Sequence, residues 1–165
     1  MKQGKTTRIA TYGLLVALAF IFSYIETLIP FNFGVPGIKL GLANIVVMIA
    51  LYKLGFKEAF SLAIIRVVLV GFTFGNMFSI LYSLSGGILS CLMMAFLKKA
   101  DRFSMIGVSV VGGVMHNVGQ ILMAMIMLDT IQLYYYLPVL IIAGILTGIL
   151  IGILGANIVK RLPNL

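Results

Sequence analysis

The chain has 165 residues, a net charge of +8, 62% hydrophobic and 10% charged residues, and a mean hydropathy of +1.18. Soluble domains carry about 25% charge, so this composition excludes a soluble globular protein and points to an integral membrane protein. The basic excess does not read as a nucleic-acid surface, because its residues fall in twos and threes between apolar runs instead of gathering on one solvated face with stacking aromatics.

A membrane-crossing helix needs about 20 apolar residues, which leaves room for about six crossings in a single domain over 1–165. Apolar runs fall at about 9–29, 40–54, 58–75, 77–97, 104–128 and 136–159. The expected fold is therefore all-α, a bundle of six transmembrane helices with both termini on one side. The first run follows Lys2, Lys5 and Arg8 as the core of a signal peptide would, but "SYIETLIP" after it offers no small-x-small cleavage site. It is expected to stay as a helix. The second run is short and opens on Pro36-Gly37, so it is expected to start as irregular backbone, which a bilayer tolerates only against protein or water. Cys91 is the one cysteine, which excludes an internal disulfide.

The separators set the orientation. With the N-terminus cytoplasmic, Lys2, Lys5, Arg8, Lys53, Lys57, Lys98, Lys99, Arg102, Lys160 and Arg161 all fall inside, Lys39 alone falls outside, and Arg66 lies within a span. Such a bias predicts a multi-pass protein of the cell membrane with both termini cytoplasmic. Tyr134, Tyr135 and Tyr136 then fall at the outer interface, where amphipathic rings are favoured.

Small residues mark two helix faces. Gly144, Gly148, Gly152 and Gly155 form a stripe on the last helix, and Ala10, Gly13 and Ala17 a shorter one on the first. Such stripes let another helix approach closely. For the last helix the expectation is packing within the chain; for the first, packing within the chain and docking of a partner are both open.

The polar residues inside the spans are few. Arg66 sits mid-span in "SLAIIRVVLVGF", where an arginine costs roughly 2.5–3.5 kcal/mol on insertion scales unless it faces a partner or water. It is expected to face inward, either as a clamp on helix ends or a carboxylate, or as a ligand-binding group. In "VGGVMHNVGQ" His116 and Gln120 are four residues apart and share a helix face, with Asn117 close to it and Gln120 about 6 Å further out at 1.5 Å per residue. Glu26 and Asn32 around the first outer loop, Lys39 and Asn44 at the second span, and Asn76, Ser79, Tyr82 and Ser83 at the fourth belong to the same outer half. An outward-facing cavity gathering these groups, apolar with a few convergent polar side chains, is what a small-molecule site requires.

Some chemistry has no residues to carry it. There is no Gly-rich loop ending in Gly-Lys-Ser/Thr to hydrolyse ATP. Asp101 and Asp129 are far apart, so no aspartate cluster holds magnesium against a diphosphate, and one histidine with one cysteine makes a zinc site improbable. The expectation is a protein that is not an enzyme and uses no metal or cofactor.

"PGIKLGLANI" (Pro36 to Ile45), Arg66 and "GVSVVGGVMHNVGQ" (Gly107 to Gln120) resemble the membrane family labelled the Gx transporter family or heptaprenyl diphosphate synthase component I. More loosely, the six spans and small-residue first helix are similar to the substrate-binding S components of energy-coupling factor vitamin transporters. That resemblance implies a site at the outer end and a docking face at Ala10, Gly13 and Ala17 for a coupling transmembrane subunit that works with an ATPase pair. The leading expectation is a substrate-binding membrane subunit for a small vitamin-like or isoprenoid/quinone-type metabolite. A non-catalytic membrane partner of a prenyl diphosphate synthase, presenting lipid substrate, and a proton-coupled secondary transporter using Glu26 or His116 are the alternatives.

Overall fold

A computed structural model of the protein describes residues 5–28 and 41–162. The described residues form six α-helices and no strand: α1 (Lys5–Leu28), α2 (Leu42–Lys53), α3 (Phe56–Phe74), α4 (Met77–Ala100), α5 (Met105–Leu128) and α6 (Leu137–Arg161). A 3-10 turn, Ile131–Tyr136, leads into α6 and leaves Tyr134, Tyr135 and Tyr136 exposed. Each apolar run of the sequence has become one helix.

Local chemistry explains where the helices begin and end. Asn76 caps α4 by accepting from the Ser79 N–H at 2.8 Å, while its own N–H donates to Ser79 Oγ at 2.9 Å, a reciprocal capping box. Ser104 caps α5 by accepting from the Gly107 N–H at 3.1 Å. Asp101 and Asp129 close α4 and α5 in the left-handed region, which aspartate tolerates better than most side chains. Gly55, at φ 119°, makes the tight α2–α3 connection in a conformation that disfavours any side chain.

The helices pack in a closed ring, α1 on α3, α3 on α4, α4 on α5, α5 on α6, α6 on α2 and α2 back on α1, with α2 also touching α3. The α2 helix is apolar on every side from Ile45 to Leu51, and Ala43 and every residue from Ile45 to Leu51 are buried. A helix of that kind belongs to an interior. Its 12 residues span about 18 Å, short of the roughly 30 Å hydrocarbon core.

Among the described residues four stretches are long and apolar enough to cross a bilayer: Thr6–Glu26, Met77–Ala100, Met105–Leu128 and Ile131–Arg161. The 19-residue α3 has near-spanning length but carries Lys57, Glu58 and Arg66. Phe72, Phe96 and Ile126 are 76%, 67% and 76% exposed on the outside of the bundle, a pattern suited to lipid and costly in water. The chain is thus a multi-pass membrane protein.

The two ends of the bundle differ. At one end, cations answer the carbonyls that helix C-termini leave without partners. Lys98 Nζ donates to Leu51 O at 2.6 Å and sits over the Tyr52 ring, Arg8 donates to Leu54 O at 2.8 Å and to Glu58 Oε1 at 2.5 Å, and Lys53 donates to Leu162 O at 2.7 Å. The same end holds Lys57, Lys99, Arg102, Lys160 and Arg161 at its helix termini. Just inside it lies a solid apolar core that includes Leu15, Met48, Leu51, Leu62, Cys91, Met94 and Val108.

The glycine stripe of α6 is consumed within the chain. A Cβ on Gly144 would lie 2.9 Å from Gly113 O, one on Gly148 2.6 Å from Val110 Cα, and one on Gly152 2.8 Å from Ile106 Cα. The obstacles at Gly144 and Gly148 are α5 backbone and cannot swing aside. By contrast Ala10, Gly13 and Ala17 on α1 are exposed, and a Cβ on Gly13 would meet nothing within 4 Å.

Gly148→Val is therefore expected to destabilise the protein by about 3 kcal/mol, the upper part of the overpacking range. Gly87→Ala, where a Cβ meets nothing within 4 Å, should be neutral or stabilising by roughly 0.5–1 kcal/mol through helix propensity. Thermal unfolding in detergent compares the two; equal effects would contradict the backbone contact.

Candidate functional site

In the half of the bundle opposite the basic end the packing opens into a cavity of about 160 Å³. All six helices contribute to it, and it is built around Arg66.

Arg66 reaches the cavity from the middle of α3 and is 9% exposed. Its guanidinium donates to Ser23 Oγ on α1 at 3.4 Å and to Asn44 Oδ1 on α2 at 3.3 Å, both long bonds, while Nε is buried with no hydrogen-bond partner among the described residues. Glu26, one helical turn beyond Ser23, lines the same cavity, and its charge acts on Arg66. Its Oε1 also accepts from the Leu42 N–H at 2.6 Å, so α1 supplies the cap that α2 lacks in its own side chains. Gly41, at φ 74°, turns the chain into α2 at this point.

The facing wall comes from α5 and its neighbours. Gly113, His116, Asn117 and Gln120 line the cavity on α5, Ser79 and Ser83 on α4, and Thr147 and Ile151 on α6. Asn117 Nδ2 donates to Leu140 O on α6 at 2.7 Å, which fixes the amide orientation and leaves Oδ1 as its acceptor. Gln120 is 2% exposed. Small residues make room for these side chains: a Cβ on Gly86 of α4 would lie 2.7 Å from both Gln120 Cγ and His116 O, and one on Gly119 2.7 Å from Ser85 O.

Of the residues singled out in the sequence, Glu26, Asn44, Arg66, His116, Asn117 and Gln120 converge on the cavity. Asn76 and Tyr82 do not line it. Asn76 is spent as the α4 cap, and Tyr82 is half-buried and stacks on Phe78 with ring centroids 6.1 Å apart. Asn32 and Lys39 lie outside the described residues. Sequence reasoning missed Ser23 and Thr147. Ser23 stands three residues before Glu26 on one helix face and Thr147 beside the glycine stripe, weak signals that become informative only once Arg66 and the α5–α6 seam are placed.

The Arg66–Glu26 relation is open to a double-mutant cycle. Arg66→Met and Glu26→Gln should each destabilise the protein, and the double variant should be less destabilised than their sum by about 1 kcal/mol, because the Glu26 charge acts on Arg66 and either change removes that interaction. Unfolding midpoints in detergent give the coupling; strict additivity would mean that the two groups do not act on one another.

Comparison with known proteins now adds to this geometry. No curated protein and no solved structure matches the chain. Residues 15–158, from the middle of α1 to near the end of α6, match the family described as heptaprenyl diphosphate synthase component I, a match that covers most of the chain and takes in Arg66 and the α5 motif. By that match the chain belongs to the heptaprenyl diphosphate synthase component I family.

Proposed function

We propose that the protein is the substrate-binding subunit of a membrane uptake system, taking a small metabolite from outside the cell and relying on partner ATPase subunits for energy. The observation that carries this reading is the pairing of a polar cavity in one half of an apolar bundle with a solid core and a basic surface at the other. Under the positive-inside bias the basic end is cytoplasmic, all six helices belong to the membrane domain of a cell-membrane protein, both termini lie inside, and the cavity faces out. A site reachable from one side and sealed from the other captures, but does not translocate without a partner. The chain is read as non-catalytic, since its four acidic residues offer no aspartate cluster to hold a diphosphate through magnesium.

The exposed Ala10, Gly13 and Ala17 face supports a docking surface for a membrane-embedded coupling subunit, because no described residue packs over it while the α6 stripe is fully used. The family description favours a second reading, a non-catalytic membrane partner of a prenyl diphosphate synthase. The cavity volume weighs against enclosing that lipid. An engineered cavity of about 150 Å³ accommodates one benzene, so about 160 Å³ cannot contain a chain of seven isoprene units.

Protein purified from its membrane should release a small molecule on denaturation, detectable by mass spectrometry, and should bring down a coupling subunit with an ATPase pair. His116→Ala combined with Gln120→Ala should lower cellular uptake of that molecule at least about tenfold, the effect of losing one to two good hydrogen bonds. An empty protein, unchanged uptake and a soluble synthase in the pull-down would replace this reading with the second. Separately, Gly13→Leu should abolish recovery of the coupling subunit while leaving the unfolding midpoint of the isolated chain unchanged; retained recovery would remove α1 as the docking face.

A further inference from the structure

Two side chains of the cavity hold hydrogen-bonding capacity that the described residues leave unused. Gln120 on α5 is 2% exposed, and its amide makes no hydrogen bond among the described residues. Arg66 on α3 is 9% exposed, and its Nε–H has no acceptor there. Buried polar groups are nearly always satisfied, because an unpartnered one costs its full desolvation. Arg66 Nε is such a group, and the Gln120 amide borders the same hollow with no hydrogen bond among the described residues, so both are matched to something other than the fold. Asn117 adds a third contact point, since its Nδ2 is committed to Leu140 O and its Oδ1 is the remaining acceptor.

Size and charge narrow the occupant. The volume of about 160 Å³ is that of a single ring. Among the described residues the charged ones lining it are Arg66 and Glu26, one of each sign, so the described wall has no net charge to offer a polyanion. A diphosphate would bring two or more negative charges to a described wall that carries one guanidinium and one carboxylate. An uncharged ligand needs no such compensation. The Gln120 amide presents a donor and an acceptor side by side, and its complement is a group with an N–H and a C=O side by side.

We propose that the cavity takes an uncharged, planar, ring-sized head group of the cyclic amide class, its N–H/C=O edge paired with the Gln120 amide and a carbonyl oxygen accepting from Arg66 Nε–H. This rests on the capture reading above and adds the substrate class to it. Any apolar tail on the molecule lies outside the hollow.

The test uses the full chain in lipid nanodiscs, with millimolar uracil as the neutral cyclic amide, benzoate as a planar monoanion and inorganic pyrophosphate as the polyanion. Uracil should raise the unfolding midpoint most and pyrophosphate should leave it unchanged. Gln120→Leu should weaken uracil binding about tenfold, the worth of a lost hydrogen-bond pair. The same substitution should leave the unliganded midpoint equal or higher, since it removes an amide that the fold does not use. A structural amide would give a lower midpoint, and that result overturns the assignment. Stabilisation by pyrophosphate or benzoate above uracil overturns the substrate class and leaves capture standing. If no probe shifts the midpoint, the class is likewise overturned, and a purified protein that also carries no small molecule takes the capture reading down with it.

Discussion

A guanidinium in the middle of an apolar bundle has to be answered, and the answer organises this protein. Arg66 on α3 would cost a few kcal/mol at that depth if it faced lipid. It turns inward and draws Ser23 from α1 and Asn44 from α2 to within 3.4 Å, with the Glu26 carboxylate as counter-charge. Glu26 then caps the first turn of α2 through the Leu42 N–H, so this short, mostly buried helix is fixed in the interior by the same group whose charge acts on the arginine. These four polar residues cannot be covered by apolar packing without losing their partners, and the hollow forms beside them.

Glycine supplies the opposite wall. The α5 helix approaches α6 closely through Gly113, Gly144 and Gly148, and α4 through Gly86 and Gly119. Held on both sides at backbone contact, α5 has little freedom to rotate, and His116, Asn117 and Gln120 are carried to a defined position. Rigid helices thus position the polar groups, which suits recognition of a small, rigid ligand better than loops would. At the other end apolar side chains fill the space, and Arg8, Lys53 and Lys98 close it by donating to helix C-terminal carbonyls. The buried apolar core thus fills the interior of the basic half, whose depressions are open grooves at the surface, while the polar cavity penetrates the other half.

Much of this was legible in the sequence, for reasons that differ by residue. Arg66 and the His116-Asn117-Gln120 group stand out because polar residues in apolar runs are expensive and must face something. The α6 stripe is readable because its spacing of four, four and three follows a helix face. Ser23 and Thr147 escaped notice because a hydroxyl in a membrane helix can satisfy itself on its own backbone, as Thr147 does by donating to Ala143 O at 2.9 Å, and so carries no cost that betrays it. Asn76 misleads for the opposite reason: an N-cap asparagine and a ligand-binding asparagine look alike until the capping box is visible. The α2 run reads as a crossing by hydropathy, yet its helix has 12 residues, because a stretch such as Ile45 to Leu51, apolar on every side, suits burial in protein as well as contact with lipid. The α1 face of Ala10, Gly13 and Ala17 is equally readable, and its exposure is something only the packing reveals.

The central claim is that the hollow half of the bundle opens to the exterior while the solid half does not. Thiol labelling addresses it directly, because the native Cys91 is buried and contributes little background. In intact cells, a membrane-impermeant maleimide should modify Ser83→Cys, on the cavity wall, and should leave Ala19→Cys, in the apolar interior, unmodified. Labelling of neither position in cells, with Ser83→Cys reacting only once the cytoplasmic face is exposed in inverted vesicles, would contradict the account.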